Sequence, residues 1–111
     1  FSQNLVDENH VDGYVFGHAG DGNIHLNMPG KKGDKKEWAL IHQVSQRLVS
    51  KALSLGGTAT GEHGVGLGKK KYMAAEHGKS LEWMKQIKAL FDPNGILNPG
   101  KLFPEPAAPR A

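Results

Sequence analysis

Two glycine-dense segments limit what this chain can fold into. Gly17-His18-Ala19-Gly20-Asp21-Gly22-Asn23 and Gly61-Glu62-His63-Gly64-Val65-Gly66-Leu67-Gly68 are too rich in turn formers to continue a helix or a strand. Regular structure is confined to the stretches between and around them. Glycine makes up 15 of the 111 residues, nearly twice the usual share of about 7%. It gathers around histidines and a carboxylate rather than spreading as in a linker.

The flanking stretches read as short elements. Val11–Phe16 and Ile24–Met28 are apolar runs with β-branched and aromatic residues, so an antiparallel pair joined by the first glycine loop is expected. A lysine-rich surface loop, Gly30 to Lys36, follows. Asp34 with Glu37 three residues on resembles a capping box. Ile41, Val44, Leu48, Ala52 and Leu55 then lay one apolar stripe along a long helix that Gly56-Gly57 stops. Thr58 to Thr60 suits a third short strand, and Lys69 to Glu76 a short helix. Ser80 is positioned to cap a last helix bearing Leu81, Met84, Ile87 and Phe91, which Pro93 ends. Residues 104–111, rich in Pro and Ala, read as a disordered tail.

The order β-β-α-(β)-α-α offers two or three short strands and an amphipathic helix, which make a thin core. Two strands rarely suffice to cover a long amphipathic helix, so further strands are expected from elsewhere in a parent protein or from a second chain. The chain starts at Phe1, within an amphipathic stretch running to His10, with neither initiator Met nor signal-peptide pattern. That reads as a piece of something longer, natural or recombinant.

Bulk properties exclude several classes. No apolar run approaches the roughly 18 residues of a membrane span. Cys is absent, so there is no disulfide framework, thiolate metal site or cysteine nucleophile. Fourteen Lys and Arg against 11 Asp and Glu leave a net charge of +3, short of a nucleic-acid footprint. The runs Lys31, Lys32, Lys35, Lys36 and Lys69 to Lys71 have little aromatic interleaving and read as solvated faces.

Chemistry concentrates in the glycine loops. In a symmetric hairpin His18 and His25 would lie opposite each other on one face, with Asn27 on that face by alternation. Two imidazoles so placed can chelate a metal, and Glu62 is the obvious third ligand. Such a two-His-one-carboxylate set suits Zn²⁺, Mn²⁺ or Fe²⁺. The plain alternative is a pair of solvated or hydrogen-bonded histidines. Adjacent loop residues point apart, so Glu62 can bind a metal while His63 faces a substrate as a base. The alternative there is a polar surface loop, which explains less well the glycines around it. Asn94-Gly95-Ile96-Leu97-Asn98-Pro99-Gly100-Lys101 is either an end-of-domain turn or a rigid loop offering Asn98 and Lys101 to a large polar ligand.

Three motifs occur in order: Gly17-His18-Ala19-Gly20-Asp21-Gly22-Asn23-Ile24-His25, Thr60-Gly61-Glu62-His63-Gly64-Val65-Gly66, and Asp92-Pro93-Asn94-Gly95-Ile96-Leu97-Asn98-Pro99-Gly100-Lys101. Together they resemble the C-terminal end of FAD-linked oxidases of the vanillyl-alcohol oxidase superfamily. The resemblance spans about Val11 to Phe103. It implies part of a ferredoxin-like α+β cap domain over residues 1–103, with the family's FAD-binding domain N-terminal to this region. It also implies oxidation of a 2-hydroxy acid to a 2-keto acid, of the D-lactate or glycolate type, with FAD and a divalent metal, commonly zinc. By the same resemblance His18, His25 and Glu62 match metal ligands and His63 the general base. Asn27 matches a substrate contact, and Asn98, with Lys101, the loop that reaches the flavin. The substrate-carboxylate arginine of such enzymes has no evident match. The 111 residues alone are expected neither to hold FAD nor to turn over. The expected partners are the 2-hydroxy acid and the FAD-binding domain, with no nucleic acid and no transmembrane segment; the expected compartment is cytoplasmic or mitochondrial. The alternative from another class is a small metal- or anion-binding module without redox activity.

Overall fold

A computed structural model describes residues 1–104. Most of the expected tail, residues 105–111, lies outside the described residues. Four α-helices and a two-stranded antiparallel sheet occur among the described residues, the expected α+β class and consistent with a cap domain. The chain divides into two compact units, Phe1–Glu62 and His63–Ala111, and each is taken separately below. No helix among the described residues is long and apolar enough to cross a membrane.

In the first unit the amphipathic N-terminal stretch forms helix α1 (Ser2–Glu8), which buries Leu5 and Val6. Strand β1 (Tyr14–His18) pairs with β2 (Asn23–Asn27), and helix α2 (Lys35–Ser54) follows. Both strands differ from the expected bounds. Val11 is drawn into the core instead of the ladder, and the Val11 N–H donates to the Val6 carbonyl, so β1 starts three residues late. At its far end β1 runs on through Gly17 to His18. Gly17 is the residue that permits this: a Cβ there would collide with the Asn23 carbonyl oxygen across the hairpin.

The core of this unit is Leu5, Val11, Ile41 and Val44, with Leu26, Met28, Leu40 and Leu48 packed against it. The i, i+3, i+7 spacing of α2 thus does bury a stripe, but only as far as Leu48 and the half-buried Ala52. Leu55, expected to continue it, lies beyond the last helical residue and is 72% exposed. There the Gly57 N–H bonds to the Ala52 carbonyl and the Gly56 N–H to that of Leu53, a Schellman motif that closes the helix.

At the other end the Asp34 carboxylate accepts the N–H groups of Lys36 and Glu37, both at 3.0 Å. The reciprocal half of the expected capping box is missing. Glu37 accepts instead from the Lys31 N–H at 2.7 Å, because the Asp34 N–H already donates to the Lys31 carbonyl. Replacing Asp34 by Ala is expected to cost about 1 kcal/mol of stability, measurable by urea denaturation.

The expected third strand, Thr58 to Thr60, does not form. Thr58 Oγ1 accepts the Thr60 N–H and bonds the Thr60 hydroxyl at 2.9 Å. These local bonds replace the ladder partners a strand needs.

In the second unit a 3₁₀ turn (Lys70–Tyr72) leads into helix α3 (Met73–His77), and α4 (Ser80–Phe91) follows. Ser80 is not the expected cap but the first helical residue of α4. Leu81 and Glu82 donate to the carbonyls of Gly78 and Lys79, so the chain is already turning before it. The expected stripe on α4 is also only partly realised. Leu81, beside α3, is buried and Met84 half-buried, while Ile87 and Phe91 are 58% and 77% exposed. Within this unit α3 packs against α4.

Past α4 the Asp92 side chain is only 2% exposed and accepts from Lys88 Nζ and from the N–H groups of Ile96 and Leu97. The Lys88 ammonium above all, then the two backbone donors, holds this carboxyl below the usual carboxylate range. A carboxyl depressed in the folded state stabilises it above its unfolded pKa, and this stabilisation is lost as pH falls through the folded value. The unit is therefore expected to lose stability from about pH 4 downward. Asp92→Asn should remove that acid dependence, as read by thermal denaturation across pH.

Candidate metal centre

Hairpin register brings the two first-loop histidines together, though not as direct partners. His18 pairs with Asn23 and His25 with Phe16. The loop is tighter than a symmetric hairpin about the two histidines needs, because a 3₁₀ turn over Ala19–Asp21 and a left-handed Gly22 close it within four residues. Pairing thus begins two residues earlier on β2. A two-residue shift preserves the face, so His18 and His25 are diagonal neighbours on one side, their rings edge-to-face with centroids 5.4 Å apart. Phe16 shares that side and stacks on His25, 5.0 Å between centroids and 13° from parallel. Its position two residues before His18 was the available signal for this contact.

Glu62 closes the set. Its Oε1 lies 3.3 Å from His25 Nε2 and its Oε2 lies 3.7 Å from His18 Nε2. The preceding Gly61 sits at φ +53°, where a Cβ would come 3.1 Å from the Asn23 side-chain oxygen, so glycine suits the turn that leads into Glu62. One donor atom from each of His18, His25 and Glu62 lies within 4.8 Å of the other two. Tetrahedral bonds of about 2.0–2.1 Å to zinc place neighbouring donors about 3.3 Å apart. Two neutral imidazoles and a carboxylate at these separations are a donor set that fits a divalent ion. His25 is mostly covered while His18 and Glu62 are about half exposed, so one side faces solvent.

The other expected site residues fall as follows. Asn27 is on β2, on the same face as His25 by alternation, paired with Tyr14 and exposed. His63 directly follows Glu62, opens the second unit and is exposed. Asn98 and Lys101 line one cavity of about 340 Å³ together with Lys85, Lys88 and Asp92. Asn98 holds φ +47°, and Lys70 Nζ donates to the Gly100 carbonyl at 3.1 Å. Asp92, which lines the same cavity, is not among the sequence-predicted site residues. Its signals were the Lys88–Asp92 spacing of one helical turn and its place just before Pro93. Arg47 is on α2, 4.0 Å from the Glu8 carboxylate.

Residues 2–102 match the family described as FAD linked oxidases, C-terminal domain, and the chain belongs to that family. It is 42% identical over 96 residues to a probable mitochondrial D-lactate dehydrogenase of Danio rerio, covering 86% of this chain and 19% of that protein. Against glycolate oxidase subunit GlcD of Bacillus subtilis it is 46% identical over 97 residues, covering 86% and 21%. A D-2-hydroxyglutarate dehydrogenase of Stutzerimonas stutzeri is 39% identical over 106 residues, covering 89% and 22%. The chain thus spans about a fifth of the length of these relatives.

Proposed function

We propose that this chain is the substrate- and metal-binding C-terminal part of an FAD-dependent dehydrogenase that oxidises a 2-hydroxy acid, of the D-lactate or glycolate type, to the 2-keto acid. The observation that carries the reading is the approach of His18, His25 and Glu62 donor atoms to within 4.8 Å, in a family whose relatives bear hydroxy-acid dehydrogenase and oxidase names.

His18, His25 and Glu62 would hold the ion, through neutral imidazoles and an ionised carboxylate. When bound, a divalent metal polarises substrate oxygens and eases loss of the hydroxyl proton, and the flavin accepts the hydride. His63 takes the hydroxyl proton on an imidazole nitrogen as the carbinol carbon gives up its hydride, so the proton and the electron pair leave by separate routes. Asn27 offers its amide to a polar group of the substrate. Asn98 and Lys101, on the loop after α4, would contact the flavin when it is bound. The FAD-binding domain of the parent protein is the partner this assignment requires.

Substrate profiling of the intact flavoprotein, with and without chelator, tests the reading. Turnover of small 2-hydroxy acids that falls on metal removal and returns with zinc or manganese supports it. Turnover indifferent to chelation, with no metal lost, argues against the metal role. Absence of any 2-hydroxy-acid oxidation argues against the substrate class.

A further inference from the structure

The loop after α4 is fastened at both ends by groups that have no part in the chemistry above. At its start the buried Asp92 carboxylate takes two successive N–H groups, Ile96 and Leu97, both at 3.0 Å, while the Asp92 carbonyl takes the Gly95 N–H at 3.1 Å. Lys88 holds the same carboxylate from α4. At its end the Leu102 N–H donates to the Gly66 carbonyl at 3.0 Å, and Lys70 holds the Gly100 carbonyl. Between these anchors Asn98 and Leu102 keep φ of +47° and +69°; Asn takes this region readily, whereas Leu102 holds it because its surroundings enforce it.

The Asp92 carboxylate is 2% exposed and meets three donors. Its two N–H partners immediately precede Asn98 in the chain. We infer that Asp92 is a positioning residue, whose buried carboxylate sets the backbone of Ile96 and Leu97 and thereby aims the Asn98 amide at the bound cofactor. This rests on the assignment of Asn98 to the flavin-facing loop made above. The charge that faces Asp92 is cationic, from Lys88 and from the Lys85 and Lys101 that line the same cavity. The carboxylate therefore stays ionised and acceptor-only, as two N–H partners require. An Asn at this position keeps one acceptor and turns a donor toward an N–H.

The test is a double-mutant cycle in the full-length flavoprotein with Asp92→Asn, Asn98→Ala and both. Amide exchange of Ile96 and Leu97 is read first, without cofactor. Asp92→Asn is expected to lower their protection about tenfold, while Asn98→Ala leaves it unchanged. With FAD bound, both single variants should shift the flavin absorption band. Both should lower kcat by about 10- to 100-fold at little change in KM, as misplacement does. The double variant should be no worse than Asn98→Ala alone. Additive losses in the double variant overturn the inference, because Asp92 then acts by another route. An Asn98→Ala protein with wild-type spectrum and kcat overturns it too, by removing the flavin-facing reading beneath it. A further variant, Lys88→Gln, leaves the buried carboxylate in place. It should move the acid-induced loss of protection at Ile96 and Leu97 to higher pH. An unmoved onset contradicts the inference.

Discussion

His25→Ala in the full-length enzyme is expected to remove the metal and, with it, at least 100-fold of the turnover. Of the two imidazoles His25 is the more covered and the closer to Glu62, 3.3 Å against 3.7 Å for His18. Its ring is also fixed by stacking on Phe16. Losing it leaves one half-exposed imidazole and one carboxylate, too few donors to retain an ion against solvent. Residues that merely orient a ligand typically cost 10- to 100-fold in affinity or activity when removed, so a direct ligand should cost more. Elemental analysis is the check: less than about a tenth of the wild-type metal is expected, with an unchanged circular dichroism spectrum, because the core of this unit lies on Leu5, Val11, Ile41 and Val44 and does not include His25. Full metal content in the variant would remove His25 from the ligand set.

His63→Ala should do the opposite: full metal content with kcat lowered by about 10²- to 10⁴-fold, the usual worth of a positioned general base. His63 follows Glu62 directly but belongs neither to the hairpin nor to the cluster of His18, His25 and Glu62. The two variants therefore separate metal retention from proton transfer. Steady-state kinetics beside elemental analysis decides the matter. Turnover within a few-fold of wild type would mean the proton leaves by another group.

The shared face of His18 and His25 was legible in the sequence because it depends on features that local rules reach. Alternation puts His18 and His25 on one face under any even shift of register, so the tighter turn that paired His18 with Asn23 moved the partners without separating the rings. The long helix was legible from Ile41, Val44 and Leu48, and its start from Asp34, because periodicity and capping are short-range. What failed depended on competition between neighbours. Glu37 found the Lys31 N–H because Asp34's own was taken, and Thr58 satisfied Thr60 locally where a strand was expected. The exposed Ile87 and Phe91 show that an apolar stripe announces a covered face without saying what covers it. For Asp92 the sequence offers only its spacing of one helical turn from Lys88, and the fold alone shows three donors meeting on its carboxylate.

In the proposed site His18, His25 and Glu62 share one metal ion. X-ray absorption at the metal edge of the full-length enzyme tests it most directly. Two imidazole nitrogens and at least one carboxylate oxygen, at about 2.0–2.2 Å for zinc, are predicted. A shell without histidine, or an enzyme fully active with no metal at all, would contradict it.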